Sequence, residues 1–395
     1  MTAPALSERN ETVAPLLTLA FRPFFLLAAL WSVVALLIWI GVLQTGAMLP
    51  SRFDPLTWHI HEMLFGFVPA AIAGFLLTAI PSWTGRRPIQ GGFLAGLIGV
   101  WILGRLAVLL SRWLPIWLST TVDVSFLLLL SAIAANEIIV SRNWRNIMMP
   151  LPLLVLAVAN LLMHLEMDDV AVSPGLGWRL GLATIMILIS VIGARIIPAF
   201  TRNWLISRSS QHLPAAHRLL DGASLGLLHA GLIGWAFAPQ FKPVGILLIF
   251  AALANCLKLL RWQGLRTTAE PLLAVLHVGY LWLIGGSALL GASMLTNLIP
   301  LSAAIHAMTA GAIGTMVLAV MTRVSLGHTG RPLHAERITI LIYMLVTAAA
   351  LARIGAAFAT TFNMSLLELS AALWIAAFGT FIVRYASFLV SARVK

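Results

Sequence analysis

The sequence predicts an all-α, polytopic membrane protein of twelve transmembrane helices, arranged as three pseudo-equivalent repeats of four. Three observations predict it. The 395-residue chain is 60% hydrophobic, with a mean hydropathy of +0.97. Only 10% of its residues are charged, against roughly 25% in a soluble domain, so lipid must solvate most of its surface. Its apolar runs, separated by Pro, Gly and Arg, are long enough for the roughly 20 residues that one helix needs to cross the hydrocarbon core.

Those runs place spans near 21–43, 58–80, 91–112, 119–140, 147–165 and 178–198, then 219–238, 243–261, 271–292, 300–323, 337–358 and 367–389. Loops after even-numbered spans carry Arg86, Arg87, Arg142, Arg145, Arg202, Arg208, Arg261, Arg266, Arg331 and Arg337. The opposite loops hold little beyond Arg52, Arg112 and Lys242, and include the acidic Glu166, Asp168 and Asp169. The positive-inside rule therefore expects both termini in the cytoplasm. Residues 1–15 are expected to form a cytoplasmic tail, without the basic start and small-residue cleavage site of a signal peptide. Residues 16–395 are then one twelve-helix domain.

The net charge of +12 is not a nucleic-acid signature, because the basic residues are spread over short loops rather than gathered on one helix face. The expected surroundings are a lipid bilayer. The single cysteine, Cys256, excludes an internal disulfide and a C-x-x-C-H attachment site. Any haem must be non-covalent, of b type.

The repeat is read from matched anchors. His61 precedes Thr84 by 23 residues (84 − 61), and His306 precedes Thr329 by the same 23 (329 − 306). Met63 matches Met308, Gly66 matches Gly311, and Gly85 with Arg86 matches Gly330 with Arg331. In the sixth span PAFTR at 198–202 stands where PSWTG stands at 81–85, which puts Trp178 at the histidine position. Asn136 and Arg142 match Asn255 and Arg261, while Pro23, Pro150 and Pro271 open the first, fifth and ninth spans. The repeats run about 16–145, 146–265 and 266–395. Large twelve-helix carriers divide instead into two halves of six.

The chemistry lies in the histidines. His59 and His61 sit near the periplasmic end of the second span and His306 near that of the tenth. An ionisable residue at membrane depth is a functional candidate by default; the plain alternative is a histidine that hydrogen-bonds across helices as packing glue. The matched depth of His61 and His306 suits two axial ligands of one haem. His59 and His61, two apart, point about 200° apart on a regular helix, so as ligands they would serve two centres. Glu62 is either an acceptor that fixes an imidazole tautomer or an interfacial carboxylate. His277 and His229 lie deeper and are candidates for copper or for packing. Arg105 and Arg353, equivalents in the third and eleventh spans, suit haem carboxylates, salt bridges or snorkelling. Met63 and Met308 are soft donors or packing, His328 belongs to the membrane edge, and His164, His212, His217 and His334 read as interfacial or loop residues.

Several motifs together resemble the NnrS family: FRPFFLLAALW at 21–31, WHIHEML at 58–64, GFLLTAIPSWTGR at 74–86, ARIIPAFTRNW at 194–204 and AVMTRVSLGHTGRPL at 319–333. The resemblance covers nearly the whole chain after the tail. It implies a bacterial inner-membrane protein that binds haem and copper and acts in nitric oxide metabolism, denitrification or protection against nitrosative stress. The architecture also resembles catalytic subunits of haem–copper oxidases and nitric oxide reductases, whose low-spin haem sits on histidines of the second and tenth helices. Their tenth helix carries a His-x-His pair, whereas here the pair is on the second, and no histidine lies in the sixth span. The leading expectation is a haem- and copper-binding protein that senses, consumes or protects against nitric oxide, its electron donor unspecified. The rival is a membrane carrier whose histidines bind a passing metal cation or haem.

Overall fold

The computed structural model describes residues 13–168 and 170–394. Most of the expected N-terminal tail, and Asp169, lie outside them. The described residues contain no strand. They form twelve helices long and apolar enough to cross a membrane: α1 Phe21–Thr45, α2 Pro55–Thr84, α3 Gly91–Leu109, α4 Ile116–Val140, α5 Trp144–Met167, α6 Leu176–Ser207, α7 Arg218–Phe237, α8 Lys242–Arg261, α9 Pro271–Leu295, α10 Leu301–His328, α11 Arg337–Phe358 and α12 Asn363–Val390. The expected class holds. Two helices run past their expected ends through prolines: α2 continues through Pro81 to Thr84 and α6 through Pro198 to Ser207. A proline withdraws one N–H from a helix, a loss that neighbouring helices and local adjustment absorb inside a membrane bundle.

The helices are unequal in burial. The most apolar stretch of α2 is 78% buried inside the protein and that of α10 67%, against 22% for α1. So α2 and α10 are inner helices, while α1 gives most of its surface to lipid. Helices α2, α6 and α10 touch one another, and α1 packs against α2 and α12.

Between apolar helices in lipid, close approach of backbones replaces the hydrophobic effect as the source of association. Glycines supply it. A Cβ on Gly177 of α6 would lie 2.8 Å from the Ala159 carbonyl oxygen of α5. A Cβ on Gly286 of α9 would lie 2.5 Å from Met308 of α10, which makes Met308 a packing residue.

Both inner helices break at matching points. Helix α2 is regular to His61, then takes a π turn over Glu62–Phe67. Helix α10 is regular to His306, then takes a π turn over Ala307–Ile313. A π turn displaces the backbone ladder, and a carbonyl left without its usual partner in lipid is costly. The Trp101 indole of α3 donates to the Gly66 carbonyl at 3.0 Å and meets that need.

The ends are specified by polar side chains. The buried Arg22 of α1 donates to the carbonyls of Leu389 and Ser391 at 2.8 and 2.5 Å, satisfying the open C-terminus of α12. Gly85 closes α2 with φ +70°, a left-handed cap that favours glycine. Next to it Arg86 pairs with Glu137 of α4, and that hydrogen bond holds its guanidinium above its ordinary pKa.

Gly177→Leu forces α5 and α6 apart and is expected to lower stability by about 1–3 kcal/mol. Gly99→Leu, where a Cβ meets nothing within 4 Å, is expected to leave it unchanged. Thermal unfolding of both detergent-solubilised variants beside the wild type checks this.

Candidate functional site

The site is built on the first turns of α2. Asp54 caps the helix, its carboxylate accepting from the amides of Leu56 and Thr57 at 3.0 and 3.2 Å, and Pro55 occupies the first turn. This start sets the rotation of the helix, and with it the directions of His59 and His61. The two rings do enter different spaces.

His61 is fully buried in a cluster of charged and polar groups. Its Nδ1 lies 3.0 Å from Glu62 Oε1. Its Nε2 lies 3.0 Å from Asp123 Oδ2 on α4 and 2.8 Å from Asn160 Oδ1 on α5. His164, one turn beyond Asn160, places its own Nε2 3.0 Å from the same Asp123 oxygen. Arg105 of α3 bridges the two carboxylates, donating to Glu62 Oε2 at 2.9 Å and pairing with Asp123 Oδ1. The Trp31 indole of α1 also donates to Glu62 Oε2, at 2.7 Å.

Small residues make the room. A Cβ on Gly66 would lie 2.7 Å from the Arg105 guanidinium and 2.8 Å from the Glu62 carboxylate. Gly104 lets α3 approach α4 where Asp123 sits, since a Cβ there would come 3.3 Å from its carboxylate. Buried charges are costly unless paired and hydrogen-bonded, and here each has a partner.

His59 leads elsewhere. It lines a cavity of about 420 Å³ with Met63 of α2, Trp178 of α6, His306 of α10, Arg353 of α11 and Trp374 of α12. The Trp39 ring stacks on His59 at 5.0 Å, and the buried His59 Nδ1 has no hydrogen-bond partner. His306 Nδ1 lies 2.7 Å from the Ser302 carbonyl. A carbonyl only accepts, so Nδ1 carries the proton and Nε2 keeps its lone pair. Arg353 belongs to none of the ion pairs of the described residues. A narrower cleft of about 120 Å³, walled by apolar side chains of α2, α6 and α10, shares Val68 and Ile313 with the lining of this cavity.

These positions correct several expectations. The histidine that shares a space with His306 is His59; His61 faces the buried cluster, because the rotation set by Asp54 turns the two rings to opposite sides of α2. Arg105 is committed to Glu62 and Asp123 and does not line the cavity, whereas Arg353 does. Glu62 is a buried acceptor rather than an interfacial carboxylate. His229 and His277 are solitary imidazoles. His229 bonds Ser190 at 2.8 Å and His277 Nε2 bonds Thr201 at 3.0 Å. A Cβ at Gly264 would approach His277 Nδ1 to 2.5 Å, so that glycine lets its loop pack close to the ring.

Asp123, Asn160 and His164 are functional candidates that the histidine pattern passes over. Two signals could have found them: an aspartate within an apolar span, and an asparagine four residues before a histidine, hence on one helix face. Among the described residues one group of His, Cys, Asp or Glu side chains is placed to hold a metal ion: His61, Asp123 and His164.

Comparison with known proteins agrees with the architecture. A family model described as NnrS protein matches residues 15–393, nearly the whole chain. No curated protein matches it.

Arg105→Ala strands two buried carboxylates and is expected to cost roughly 3–5 kcal/mol, read as loss of monodisperse protein or a large fall in unfolding temperature. Arg384→Ala breaks the partly exposed pair with Glu336 and is expected to cost no more than about 1 kcal/mol.

Proposed function

The chain belongs to the NnrS family of membrane proteins linked to the nitric oxide response, and on that premise we propose that it holds a b-type haem between His59 and His306. The observation that carries this reading is the convergence of two imidazoles from α2 and α10, with Arg353, on one largely apolar cavity. Its volume of about 420 Å³ falls in the range of cofactor and small-molecule pockets. The residues suit the group. His306 presents an unprotonated Nε2, the partnerless Nδ1 of His59 marks an imidazole free to turn a nitrogen to a ligand, and Arg353 offers a fork for haem carboxylates. His59 and His306 would hold the haem, which when bound would supply an iron suited to electron transfer.

The protein's own groups define what surrounds that iron. Trp39 fixes the plane of the His59 ring by stacking. The Ser302 carbonyl fixes the His306 tautomer. The cleft that shares Val68 and Ile313 with the cavity lining is a route for a small apolar molecule such as nitric oxide, which dissolves in the hydrocarbon around it. Copper, which the family resemblance also implies, has no pair of donors at His229 or His277. In this reading the protein sits in the bacterial inner membrane with both termini in the cytoplasm and the cavity toward the periplasm, and its repeats account for the matched π turns of α2 and α10. The carrier reading loses ground, because the imidazoles lie at the end of the bundle rather than at the midplane of an inverted repeat.

Reduced-minus-oxidised spectra of purified protein are expected to show sharp low-spin haem bands that vanish in His59→Ala and in His306→Ala but survive in His61→Gln. Bands that persist in either of the first two variants, or are absent from the wild type, would sink the pairing. A fluorescent protein fused after Lys395 is expected to glow and an alkaline phosphatase fused there to stay inactive; the reverse would invert the topology.

A further inference from the structure

We propose that the buried cluster on the other side of α2 is a metal centre, in which His61, His164 and Asp123, with Asn160 beside them, hold one late first-row transition-metal ion. The site stands apart from the haem cavity and does not depend on it.

The donor set is the first argument. His61 Nε2 and His164 Nε2 each lie 3.0 Å from Asp123 Oδ2, and Asn160 Oδ1 lies 2.8 Å from His61 Nε2. Nitrogen and oxygen ligands about 2.0–2.2 Å from a metal stand roughly 3–3.5 Å from one another, so small outward movements of these atoms would admit an ion. The groups come from three different helices, α2, α4 and α5, and all three of His61, Asp123 and His164 are buried.

The second argument is a mismatch of donors and acceptors. Every neighbour of the His61 ring nitrogens is an acceptor: Glu62 at Nδ1, Asp123 and Asn160 at Nε2. A neutral imidazole with its proton on Nδ1, toward Glu62, turns a lone pair toward two oxygens that also present lone pairs. Asp123 Oδ2 has three nitrogens around it, from His61, His164 and Asn160, while Oδ1 is taken by Arg105. A positive charge at Nε2, whether a second ring proton or a metal ion, resolves the mismatch there, and a metal ion would take the lone pairs of His61, Asp123 and Asn160 together.

Charge and surroundings agree. With His61 neutral, Glu62 and Asp123 carry two negative charges and Arg105 one positive, which leaves one negative charge that a metal ion would offset in place of a second proton on His61. Glu62 behind His61 is the carboxylate that orients a metal-bound imidazole, and Arg105 and Trp31 hold that carboxylate in turn. The Phe53 ring packs against both imidazoles, 5.0 Å from His61 and 5.1 Å from His164. Arg52, between α1 and α2, pairs with Asp168, one turn beyond His164. Two imidazoles and a carboxylate favour the late first-row ions, with copper the tightest in the usual order of affinity.

The test uses full-length protein in detergent, stripped with chelator, loaded with Cu(II) or with Zn(II), and dialysed. Elemental analysis is expected to find one equivalent of metal beyond haem iron, and the Cu(II) electron paramagnetic spectrum is expected to show coupling to two imidazole nitrogens. His164→Gln, whose histidine bonds only Asp123, is expected to lose affinity by more than the roughly 10–100-fold that an outer partner is worth. His164→Asp is expected to restore binding in part, with one nitrogen coupling. His229→Gln is expected to retain the metal in full. Wild-type protein that keeps no metal after dialysis, or a His164→Gln variant of wild-type thermal stability that keeps it with the same spectrum, would overturn the proposal. Neither result bears on the haem bands, so the two readings fail separately.

Discussion

The bridge from Arg105 to Glu62 and Asp123 is the interaction on which this end of the bundle depends. Two carboxylates buried among apolar helices would each carry a large desolvation penalty, and a single guanidinium, planar and forked, reaches both. Because its partners sit on α2 and α4 and its own backbone on α3, the bridge ties three helices together at one depth. Lysine could not do this, since a point charge on a flexible stem lacks the fork. The surrounding glycines follow from the same requirement. Gly66 and Gly104 are small where any larger side chain would displace the guanidinium or its carboxylates.

With that anchor in place, α2 becomes a partition between two chemically different compartments. Toward α4 and α5 it presents His61 to carboxylate, amide and imidazole. Toward α10 and α11 it presents His59 to a cavity whose walls are mostly apolar, broken by His306 and Arg353. The polar compartment suits a compact ion and the apolar one a flat cofactor with a charged rim. One helix serves both because His59 and His61, two residues apart on its regular first turns, point to opposite sides. On α10, His306 presents a second imidazole with its proton already fixed on Nδ1 by the Ser302 carbonyl.

The remaining intramembrane histidines illustrate the opposite outcome. His229 and His277 each face a hydroxyl on α6, and hydrogen bonding across helices accounts for both. Residue type and depth do not separate them from His59 or His306; the neighbours do.

The sequence by itself determined the membrane class, the twelve helices and the family, because hydropathy and local motifs are properties of contiguous residues. It also singled out His59, His61 and His306, since an ionisable side chain in an apolar run carries its own cost wherever the run goes. What it left open was partnership. Whether His59 or His61 meets His306 depends on the rotation of α2, which the Asp54 cap and the packing of Gly66 against Arg105 set. Whether Arg105 serves a ligand or a carboxylate depends on Asp123, 18 residues away in the chain and across a helix pair. Asp123, Asn160 and His164 come from two helices and join His61 only where three helices pack. Those choices are made by contacts between distant segments, and only the tertiary structure decided them.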